Sequence, residues 1–486
     1  MSAAVSVALP LRDIADWDME HDVVIVGHGG AGACAAIESV RAGADTLVLE
    51  KQTRGGGSSA VSTGVVYFGG GTRVQKACGF EDSVEEMTKF VRMAAGREGD
   101  DEKVRMYCDD SVEHFDWLVD IGVDFKDSYV AGKTTHPFDD SCLFYSGNEL
   151  VHPFKENARP APRGHKVARE GEAGGYFMEP ILKASESSGA DILNECGAER
   201  AIIDESGRVV GVVVRKGDAL LNVKARRGVI LCAGGFIDNA EMVAKHATDL
   251  TIGNWNCSDG FDDGTGILLG AGAGGELRNM HEGLALNAYY PPDGHLKGIL
   301  VDRNGQRFIN EDAYLGRTTD AMIFKAHGEA YLIVDDELFG KTQAFHKLAA
   351  VEETFEELEK TLDMPEGELV HTIEVYNRNS ERGEDPLHHK SADYCRPLSA
   401  PPYAAIDCTA AGCIYGMLTL GGLATSPTCE VLTQDGNKID GLYAAGRNTA
   451  GLCLEGRTYA SGMSLGDCTY FGRVAGRVAA AAEPWE

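Results

Sequence analysis

The chain has 486 residues, which is enough for two or three domains. Its 43% hydrophobic and 25% charged content is ordinary for a globular protein, and its 60 glycines follow no fixed period, which excludes collagen-like and low-complexity sequences. The net charge of −30 is not interrupted by a basic stripe, so nucleic acid and anionic membranes are poor partners.

Cysteine usage and the absence of sorting signals indicate a cytoplasmic protein. The thirteen cysteines form no C-x-x-C pair and no His/Cys cluster with zinc spacing, so we expect no metal site and a reducing compartment. Cys34, Cys232 and Cys468 lie in apolar or glycine-rich stretches and are expected to be small buried residues. We see neither a signal peptide nor an apolar run of membrane-spanning length, and so expect no transmembrane segment.

The first elements of the chain predict a dinucleotide-binding unit. Residues 23–26 are continuously apolar, as in a strand buried on both faces, and residues 31–41 predict a helix. Between them Gly27, Gly29 and Gly32 form G-x-G-x-x-G. These glycines permit a tight turn, a close backbone approach to a pyrophosphate, and packing of the helix against the strand.

A second strand and a small-residue segment follow. Residues 46–49 predict the strand, and Glu50 at its end is placed to accept hydrogen bonds from ribose hydroxyls. The next residues, 51–72, are rich in Gly, Ser and Thr. Such a segment either lies along an extended cofactor, which favours FAD over NAD, or forms a flexible surface loop. His28 is expected to be a bystander, because the backbone performs the binding in such loops.

Later segments favour FAD. Residues 228–236 ("GVILCAGGF") and 441–449 ("GLYAAGRNT") each predict an apolar strand that ends in glycine, and a β-meander with a turn at 205–207 precedes the first. A parallel sheet with a small antiparallel meander is the layout of the two-dinucleotide-binding-type FAD fold. The chain ends in an Ala/Gly-rich helix that starts near Gly462, with its positive end toward the flavin.

The composition predicts an insertion in this α/β fold. Aromatic residues replace the glycine-rich segments near the middle of the chain, and residues 366–382 predict an amphipathic helix. We therefore expect a Rossmann-like FAD-binding domain in two parts, 19–280 and 413–486. An inserted α+β cap, 281–412, would cover the flavin. Residues 75–125 are expected to be mostly helical and part of the FAD domain.

Several pieces of the sequence resemble a known family. "GHGGAGACAA", "GGGSSAVSTG", "CAGGF", "NGQRFINE" and "GLYAAGR" together resemble the fumarate reductase/succinate dehydrogenase flavoprotein superfamily. Within it, "YFGGGTRVQKACGFEDS", "SVEHFDWLVDIGVDFKDS", "CLFYSGNE" and "PAPRGH" resemble the 3-ketosteroid Δ4-(5α)-dehydrogenases. The resemblance covers nearly the whole chain.

The resemblance implies an FAD site and the residues that form it. The "GGGSSAVSTG" segment has no counterpart of the flavin-linking histidine that some members carry, so FAD is expected to be non-covalent. The residues expected to contact it are Gly27, Gly29, Gly30, Ala31, Gly32, Glu50, Lys51, Gln52, Gly57, Ser58, Ser59, Ser62, Thr63, Gly64, Ala201, Ala233, Gly234, Asp263, Gly446, Ser464 and Leu465.

Two departures from the fumarate and succinate enzymes argue against a dicarboxylate substrate. Those enzymes carry Arg just before Leu-Gly-Gly-Asn, where this chain has Tyr459, and His before Thr-Met-Gly-Gly, where it has Met417 and Leu418. A dicarboxylate would lose two partners, each charged contact being worth about 1.5–3 kcal/mol. A neutral phenol in place of Arg suits a ketone.

The resemblance also implies a catalytic set. The Tyr459 hydroxyl and the Gly462 backbone N–H would hydrogen-bond the C3 carbonyl oxygen of a 3-ketosteroid, as an oxyanion hole does. Ser461 matches the position of the base that takes the C4 proton, and Tyr314 matches the tyrosine that supports it. The C5 hydrogen would leave as hydride to flavin N5. Ser461 is also a candidate for the N-cap of the last helix, a role that does not exclude that of base. The alternative for Tyr314 is a core or cap-interface residue.

The expected function is therefore an FAD-dependent dehydrogenase that desaturates ring A of a steroid at C4–C5 and passes electrons to an external acceptor. Three alternatives stay open from the sequence. They are a 4-ene-3-ketosteroid reductase running the reverse reaction, a 3-ketosteroid Δ1-dehydrogenase, and a flavin-binding subunit without turnover of its own.

Overall fold

The computed structural model describes residues 7–342, 344 and 346–485. Its strands are β1 (Leu9–Pro10), β2 (Met19–Val26), β3 (Thr46–Leu49), β4 (Val65–Tyr67), β5 (Leu143–Phe144), β6 (Gly164–Lys166), β7 (Asp191–Leu193), β8 (Cys196–Ile203), β9 (Val209–Lys216), β10 (Ala219–Leu231), β11 (Trp255–Asn256), β12 (Leu277–Arg278), β13 (Gly283–Leu286), β14 (Ile299–Asp302), β15 (Ala330–Asp335), β16 (Leu348–Glu352), β17 (Tyr403–Asp407), β18 (Gly416–Thr419), β19 (Gly422–Leu423), β20 (Glu430–Leu432) and β21 (Lys438–Ala444).

The α-helices are α1 (Gly30–Arg41), α2 (Gly57–Ala60), α3 (Arg73–Ala77), α4 (Val84–Ala94), α5 (Asp101–Asp109), α6 (Ser111–Asp120), α7 (Phe154–Asn157), α8 (Gly174–Glu186), α9 (Ala240–His246), α10 (Thr265–Gly272), α11 (Leu315–Phe324), α12 (Phe355–Thr361), α13 (Glu368–Ser380) and α14 (Met463–Ala481). The helices expected over 31–41 and 366–382 are thus α1 and α13, and α3 to α6 occupy most of the expected helical stretch 75–125.

A nine-stranded mixed sheet forms the centre of the protein. Its parallel part runs β21-β10-β2-β3-β7, and the meander β8-β9-β10 continues it on the other side. The long strand β10 belongs to both parts. Its first half pairs antiparallel with β9, and its last residues pair parallel with β2 and β21. The expected FAD-type α/β fold, a parallel sheet with a β-meander, is confirmed.

The last helix packs directly on the first one, α14 against α1. A Cβ atom on Gly472 would lie 2.4 Å from the Ala31 carbonyl oxygen, and one on Gly476 would lie 2.3 Å from that of Ala35. These two glycines, one helical turn apart, therefore allow the helix backbones to touch. Because these contacts pair the start of α1 with the third turn of α14, the first turns of α14 extend past the N-terminus of α1, and Cys468 lies beside Gly30.

A four-stranded antiparallel sheet, in the order β14-β15-β17-β16, lies within the span expected to form the cap, together with α11, α12 and α13. Its core includes the buried side chains of Leu332, Ile333 and Leu369. The exact division of the chain at 281 and 412 stays a prediction.

All thirteen cysteines are free, and Cys34, Cys232 and Cys468 are buried, as expected. Across the described ranges, none of the helices is both long enough and apolar enough to span a bilayer.

Candidate functional site

A large cavity of about 1600 Å³ is lined by the ends of the parallel strands β2 and β3 and by residues at the start of α1 and of α14. Cavities that hold one drug-sized ligand are typically about 300–1,000 Å³, so this one has room for a cofactor and a second molecule. Its walls come from the main sheet, from α1 and α14, and from residues of the expected cap span such as Tyr314 and Leu286.

Most of the residues expected to contact FAD line this cavity. They are Gly27, Gly29, Gly30, Ala31, Glu50, Lys51, Gln52, Gly57, Ser58, Ser59, Ser62, Thr63, Ala233, Gly234, Asp263, Gly446, Ser464 and Leu465. The segment that could have been a surface loop, residues 51–72, thus contributes a large part of the wall.

Three expected contact residues lie outside the cavity wall. Gly32 packs α1 against the preceding turn, since a Cβ there would lie 1.9 Å from the Gly27 carbonyl oxygen. A Cβ on Gly64 would lie 2.7 Å from the Ala173 backbone. Ala201 is buried in the sheet, and the wall formed by β8 ends one residue earlier, at Arg200. In the structure, these three residues pack against neighbouring parts of the protein and do not line the cavity.

The loop before α1 fits the pyrophosphate of a dinucleotide. Gly27 has φ +99°, and a Cβ on it would lie 2.5 Å from the Cys232 carbonyl oxygen, so only glycine fits there. A Cβ on Gly29 would meet only the Gly56 carbonyl, at 3.8 Å, and would otherwise project into the cavity. Gly29 is also the N-cap of α1, whose free N–H groups and positive end favour an anion at this point.

Glu50 lies at the end of β3, as the sequence predicts. Its carboxylate accepts hydrogen bonds from the backbone N–H groups of His28, at 2.9 Å, and Gln52, at 2.7 Å. The Glu50 side chain is therefore held at the cavity wall by the loop before α1, through His28, and by the segment after β3, through Gln52. The His28 ring is buried and contacts Ser185 Oγ at 3.0 Å, and burial lowers the pKa of His28 to about 4, which agrees with a structural role.

Tyr459 and Ser461 both line the cavity just before α14, and Gly462 lies between them and the helix. Gly462 has φ +99°, and a Cβ there would lie 2.7 Å from the Tyr67 backbone nitrogen, so the turn into the helix requires glycine. The alternative of Ser461 as N-cap is wrong. The N-cap is Gly462, without a side-chain cap, because this turn carries the Ser461 side chain away from the helix.

The Tyr459 hydroxyl lies at the N-terminus of α14. Its oxygen accepts a 3.0 Å hydrogen bond from the Ser464 backbone N–H. Burial raises the pKa of Tyr459 to about 12, so the phenol stays protonated at any physiological pH. Its proton is therefore available for another acceptor in the cavity.

Tyr314 and Ser461 form a hydrogen-bonded pair in the same cavity wall, although 147 residues separate them in sequence. The distance from Tyr314 Oη to Ser461 Oγ is 2.8 Å, and either hydroxyl can donate. The Tyr314 ring also lies 6.4 Å from the Tyr459 ring, centroid to centroid. Burial raises the pKa of Tyr314 above its ordinary value, so it too is a neutral phenol. The structure thus brings the expected catalytic residues together.

Apolar side chains form part of the wall of the same cavity. Leu418, one of the two residues that stand where relatives carry His, is part of it. The other, Met417, is buried outside the wall. Other apolar residues of the cavity wall include Leu284, Leu286, Ala288, Leu315 and Ile414. These apolar side chains suit a hydrophobic molecule and themselves offer no charge to a carboxylate.

Sequence reasoning missed a buried ion pair in the cavity. Arg447, which follows Gly446 directly, contacts Asp262 with 2.5 Å between Nη2 and Oδ2. Asp262 also accepts a hydrogen bond from Ser58 Oγ. Arg447 Nη1 is buried, and no group of the described residues hydrogen-bonds it. Since the neighbouring carboxylate already neutralises this guanidinium, it does not replace the missing arginine of a dicarboxylate clamp. The sequence signal that could have indicated this ion pair is the arginine directly after the glycine that ends a predicted strand.

Among the residues that the structure describes, one group of side chains could hold a metal ion, and it lies outside this cavity. It consists of His21, Asp45 and Asp191. His21 Nδ1 contacts Asp45 at 3.1 Å, and Arg226 pairs with the same carboxylate. These contacts account for the cluster without an ion.

The profile of the family described as "FAD binding domain" matches residues 22–462. A solved structure of 3-ketosteroid-Δ4-(5α)-dehydrogenase from Rhodococcus jostii RHA1, in complex with 4-androstene-3,17-dione, is 40% identical with a TM-score of 0.91. The alignment covers 97% of this chain and 99% of that one.

Two further relatives are more distant. The 3-oxo-5-alpha-steroid 4-dehydrogenase of Comamonas testosteroni is 31% identical over 502 residues, covering 89% of this chain and 94% of the relative. A flavocytochrome c3 fumarate reductase structure is 25% identical with a TM-score of 0.68, covering 96% of this chain and 79% of that one. The expected FAD-binding flavoprotein fold and its FAD cofactor agree with all three.

Proposed function

We propose that this chain, which belongs to the FAD binding domain family, is an FAD-dependent oxidoreductase that desaturates ring A of a saturated 3-ketosteroid between C4 and C5. The observation that carries the proposal is the 2.8 Å contact between the Tyr314 and Ser461 hydroxyls beside the Tyr459 phenol in one cavity wall. Such a set offers a neutral donor for a carbonyl and a hydroxyl pair for a proton.

Recognition of the substrate depends on the Tyr459 phenol. Because its oxygen already accepts from the Ser464 N–H, its own proton is left to donate to the C3 carbonyl oxygen. The backbone N–H of Gly462, at the end of the same segment, is proposed as the second donor. Together they stabilise negative charge on that oxygen as the C4 hydrogen becomes acidic, and the positive end of α14 lies on the same side.

Proton removal is assigned to the Ser461–Tyr314 pair. Ser461 Oγ takes the C4 proton while its own proton passes to Tyr314, and from there a proton leaves to solvent. A serine alone is a weak base, and the hydrogen bond to Tyr314 lets the hydroxyl give up one proton as it gains another. When bound, non-covalent FAD supplies the other half of the chemistry by accepting the C5 hydrogen with its electron pair, which leaves a C4–C5 double bond.

The apolar wall supports a steroid as the second molecule in the cavity. Leu284, Leu286, Leu418 and their neighbours exclude water and give no partner to a carboxylate, whereas burial of a steroid skeleton against them is favourable. An external electron acceptor is required to reoxidise the cofactor. The thirteen free cysteines support a reducing compartment, the cytoplasm.

The direct test is anaerobic mixing of the purified holoprotein with candidate substrates while flavin absorbance is followed. We expect bleaching by a 5α- or 5β-reduced 3-ketosteroid and none by succinate. Bleaching by succinate would reject the proposal. Formation of a 1-ene rather than a 4-ene product, identified by mass spectrometry and NMR, would assign the protein to the Δ1-dehydrogenases instead.

A further inference from the structure

A buried loop outside the cavity contacts both members of the hydroxyl pair. We call residues 146–149 (Ser146, Gly147, Asn148 and Glu149) the SGNE loop. Ser146 and Asn148 are 2% and 0% exposed, and none of the four residues lines the cavity. The loop is therefore placed to act on Ser461 and Tyr314 from behind, without contact with substrate or cofactor.

Ser146 makes two hydrogen bonds to the backbone of Ser461. The Ser461 N–H donates to the Ser146 carbonyl oxygen at 3.0 Å, and the Ser146 hydroxyl donates to the Ser461 carbonyl oxygen at 3.0 Å. Both polar groups of the Ser461 backbone are thus held by one residue. With its backbone fixed in this way, the direction of the Ser461 side chain depends on rotation about a single bond.

Asn148 holds the other member of the pair. Its Oδ1 accepts a 2.9 Å hydrogen bond from the Tyr314 backbone N–H. Tyr314 is the residue from which α11 begins, and its own φ and ψ are extended, so this N–H lies outside the helical hydrogen-bond ladder. One side chain of the SGNE loop therefore fixes the point from which the Tyr314 phenol extends toward Ser461.

The close approach of the loop requires its glycine. A Cβ on Gly147 would lie 2.5 Å from the Ala460 Cβ, and Ala460 is the residue between Tyr459 and Ser461. The Gly147 N–H donates to Glu149 at 2.8 Å, and the same carboxyl group accepts from the Tyr67 hydroxyl at 3.2 Å. Tyr67 in turn donates its N–H to the Gly462 carbonyl oxygen at 3.2 Å. The contacts form a closed ring around the catalytic segment.

We propose that the SGNE loop is the positioning element of the Ser461–Tyr314 pair, with Asn148 as the residue that sets the distance between the two hydroxyls. This inference rests on the proposed function of that pair. Ser461 and Tyr314 lie on segments 147 residues apart, and the loop is a third segment that contacts both. Loss of the Asn148 contact lets the Tyr314 backbone shift, so that the distance between the Tyr314 and Ser461 hydroxyls increases while the rest of the cavity wall stays in place.

The test compares Asn148→Ala with wild-type holoenzyme in anaerobic stopped-flow reduction by a saturated 3-ketosteroid. We expect the limiting rate of flavin reduction to fall by about 10- to 100-fold, as for a displacement of about 1 Å in a catalytic group. The substrate dissociation constant should stay within about twofold, because no contact with substrate is removed. The isotope effect from deuterium at C4 should rise, since proton removal becomes slower relative to the other steps.

Asn377→Ala is the matched control. The Asn377 side chain donates from Nδ2 to the Leu398 carbonyl oxygen and accepts at Oδ1 from the Leu398 N–H, both at 2.9 Å. Asn377 does not line the cavity. Its rate and isotope effect should equal those of the wild type.

The outcomes separate the two ideas. An Asn148→Ala variant with wild-type rate and isotope effect would overturn the inference. If Asn148→Ala does not bind FAD or fold, Ser146→Ala, which keeps the carbonyl acceptor but loses the hydroxyl donor, is measured instead and is expected to slow reduction in the same way. A wild-type protein that no 3-ketosteroid reduces would reject the proposed function itself.

Discussion

The Tyr459 hydroxyl oxygen accepts a hydrogen bond from the Ser464 backbone N–H at the start of α14. This contact gives the phenol a fixed orientation and takes up one of its acceptor sites. It also links the phenol to the positive end of the helix, which strengthens its remaining O–H as a donor.

Tyr459→Phe should lower the rate of flavin reduction by about 10²–10³-fold, the usual cost of removing one oxyanion-hole donor. The FAD content should be unchanged, since the ring remains in place. Tyr415→Phe is a matched control, because it removes a buried hydroxyl that bonds the Cys408 carbonyl oxygen outside the cavity. Equal rates for the two variants would contradict the carbonyl-donor role of Tyr459.

Ser461→Ala and Tyr314→Phe should each slow flavin reduction by about 10²–10⁴-fold, in the range of general acid–base contributions. Because the two hydroxyls act as one relay, the double variant should be scarcely slower than either single variant. Stopped-flow rates for the wild type, the two single variants and the double variant complete this double-mutant cycle. Multiplication of the two single effects in the double variant would show that the hydroxyls act independently.

The alkaline limb of the rate profile should not come from Tyr459. Burial raises its pKa to about 12, and the neutral donor form is present below that value and lost as the pH rises through it. The rate of flavin reduction measured between about pH 7 and pH 10.5 should therefore show no loss with a phenol-like pKa. A loss near pH 10 in the wild type that is absent from Tyr459→Phe would contradict this assignment.

Gly29→Ala should weaken FAD binding without unfolding the protein. The added Cβ would project into the cavity, and an overpacking cost of about 1–3 kcal/mol corresponds to roughly 5- to 150-fold in the dissociation constant. The measurement is fluorescence titration of apoprotein with FAD. In Gly175→Ala, the control, the Cβ also meets a single carbonyl, at 3.7 Å, but outside the cavity. Equal affinities of both variants would contradict the placement of the pyrophosphate.

Asp467→Asn should change how stability depends on pH. Burial raises the pKa of Asp467 to about 6, above its unfolded value near 3.9. The protonated carboxyl therefore contributes stability below about pH 4, and this contribution is lost as the pH rises through about 6. The variant keeps an acceptor for the Leu452 N–H and has no charge to bury.

The free energy of unfolding of Asp467→Asn relative to wild type should thus rise by about 2–3 kcal/mol between pH 4 and pH 7.5, the equivalent of a shift of about two pKa units. Denaturant unfolding of the holoprotein at both pH values measures it. Asp120→Asn, at an exposed end of α6, is the control. Parallel pH curves for wild type and Asp467→Asn would show that the buried carboxyl is not the cause.

The parts of the site that could be predicted from the sequence are those set by local backbone requirements. The loop Gly27–Gly32 and Glu50 at the end of β3 follow from strand, turn and helix signals within about 30 residues. Tyr459 and Ser461 were identified by resemblance to a family. Their closeness to Tyr314 was part of that same resemblance and had no local signal.

The features that were missed depend on contacts between distant segments. The SGNE loop meets Ser461 across 315 residues, and Arg447 meets Asp262 in another loop, so neither has a periodic or turn signature. Ser461 was a plausible helix cap because serine is common at that position. The positive φ of Gly462 decides against it, and only the packing of Gly462 on Tyr67 requires that turn.

The N-termini of α1 and α14 open onto the same cavity, although one helix comes from the start of the chain and the other from its end. Each carries about half a positive charge, and both are fixed in place by helix-to-helix contact. The end of α1 is placed at the expected pyrophosphate, whereas the end of α14, on the expected flavin side, would bind a flavin that has gained negative charge more tightly than one that has not. By linkage, tighter binding of the reduced form is the same quantity as a higher midpoint potential. Under the proposed function, this contribution of α14 favours hydride transfer from a saturated 3-ketosteroid to the flavin.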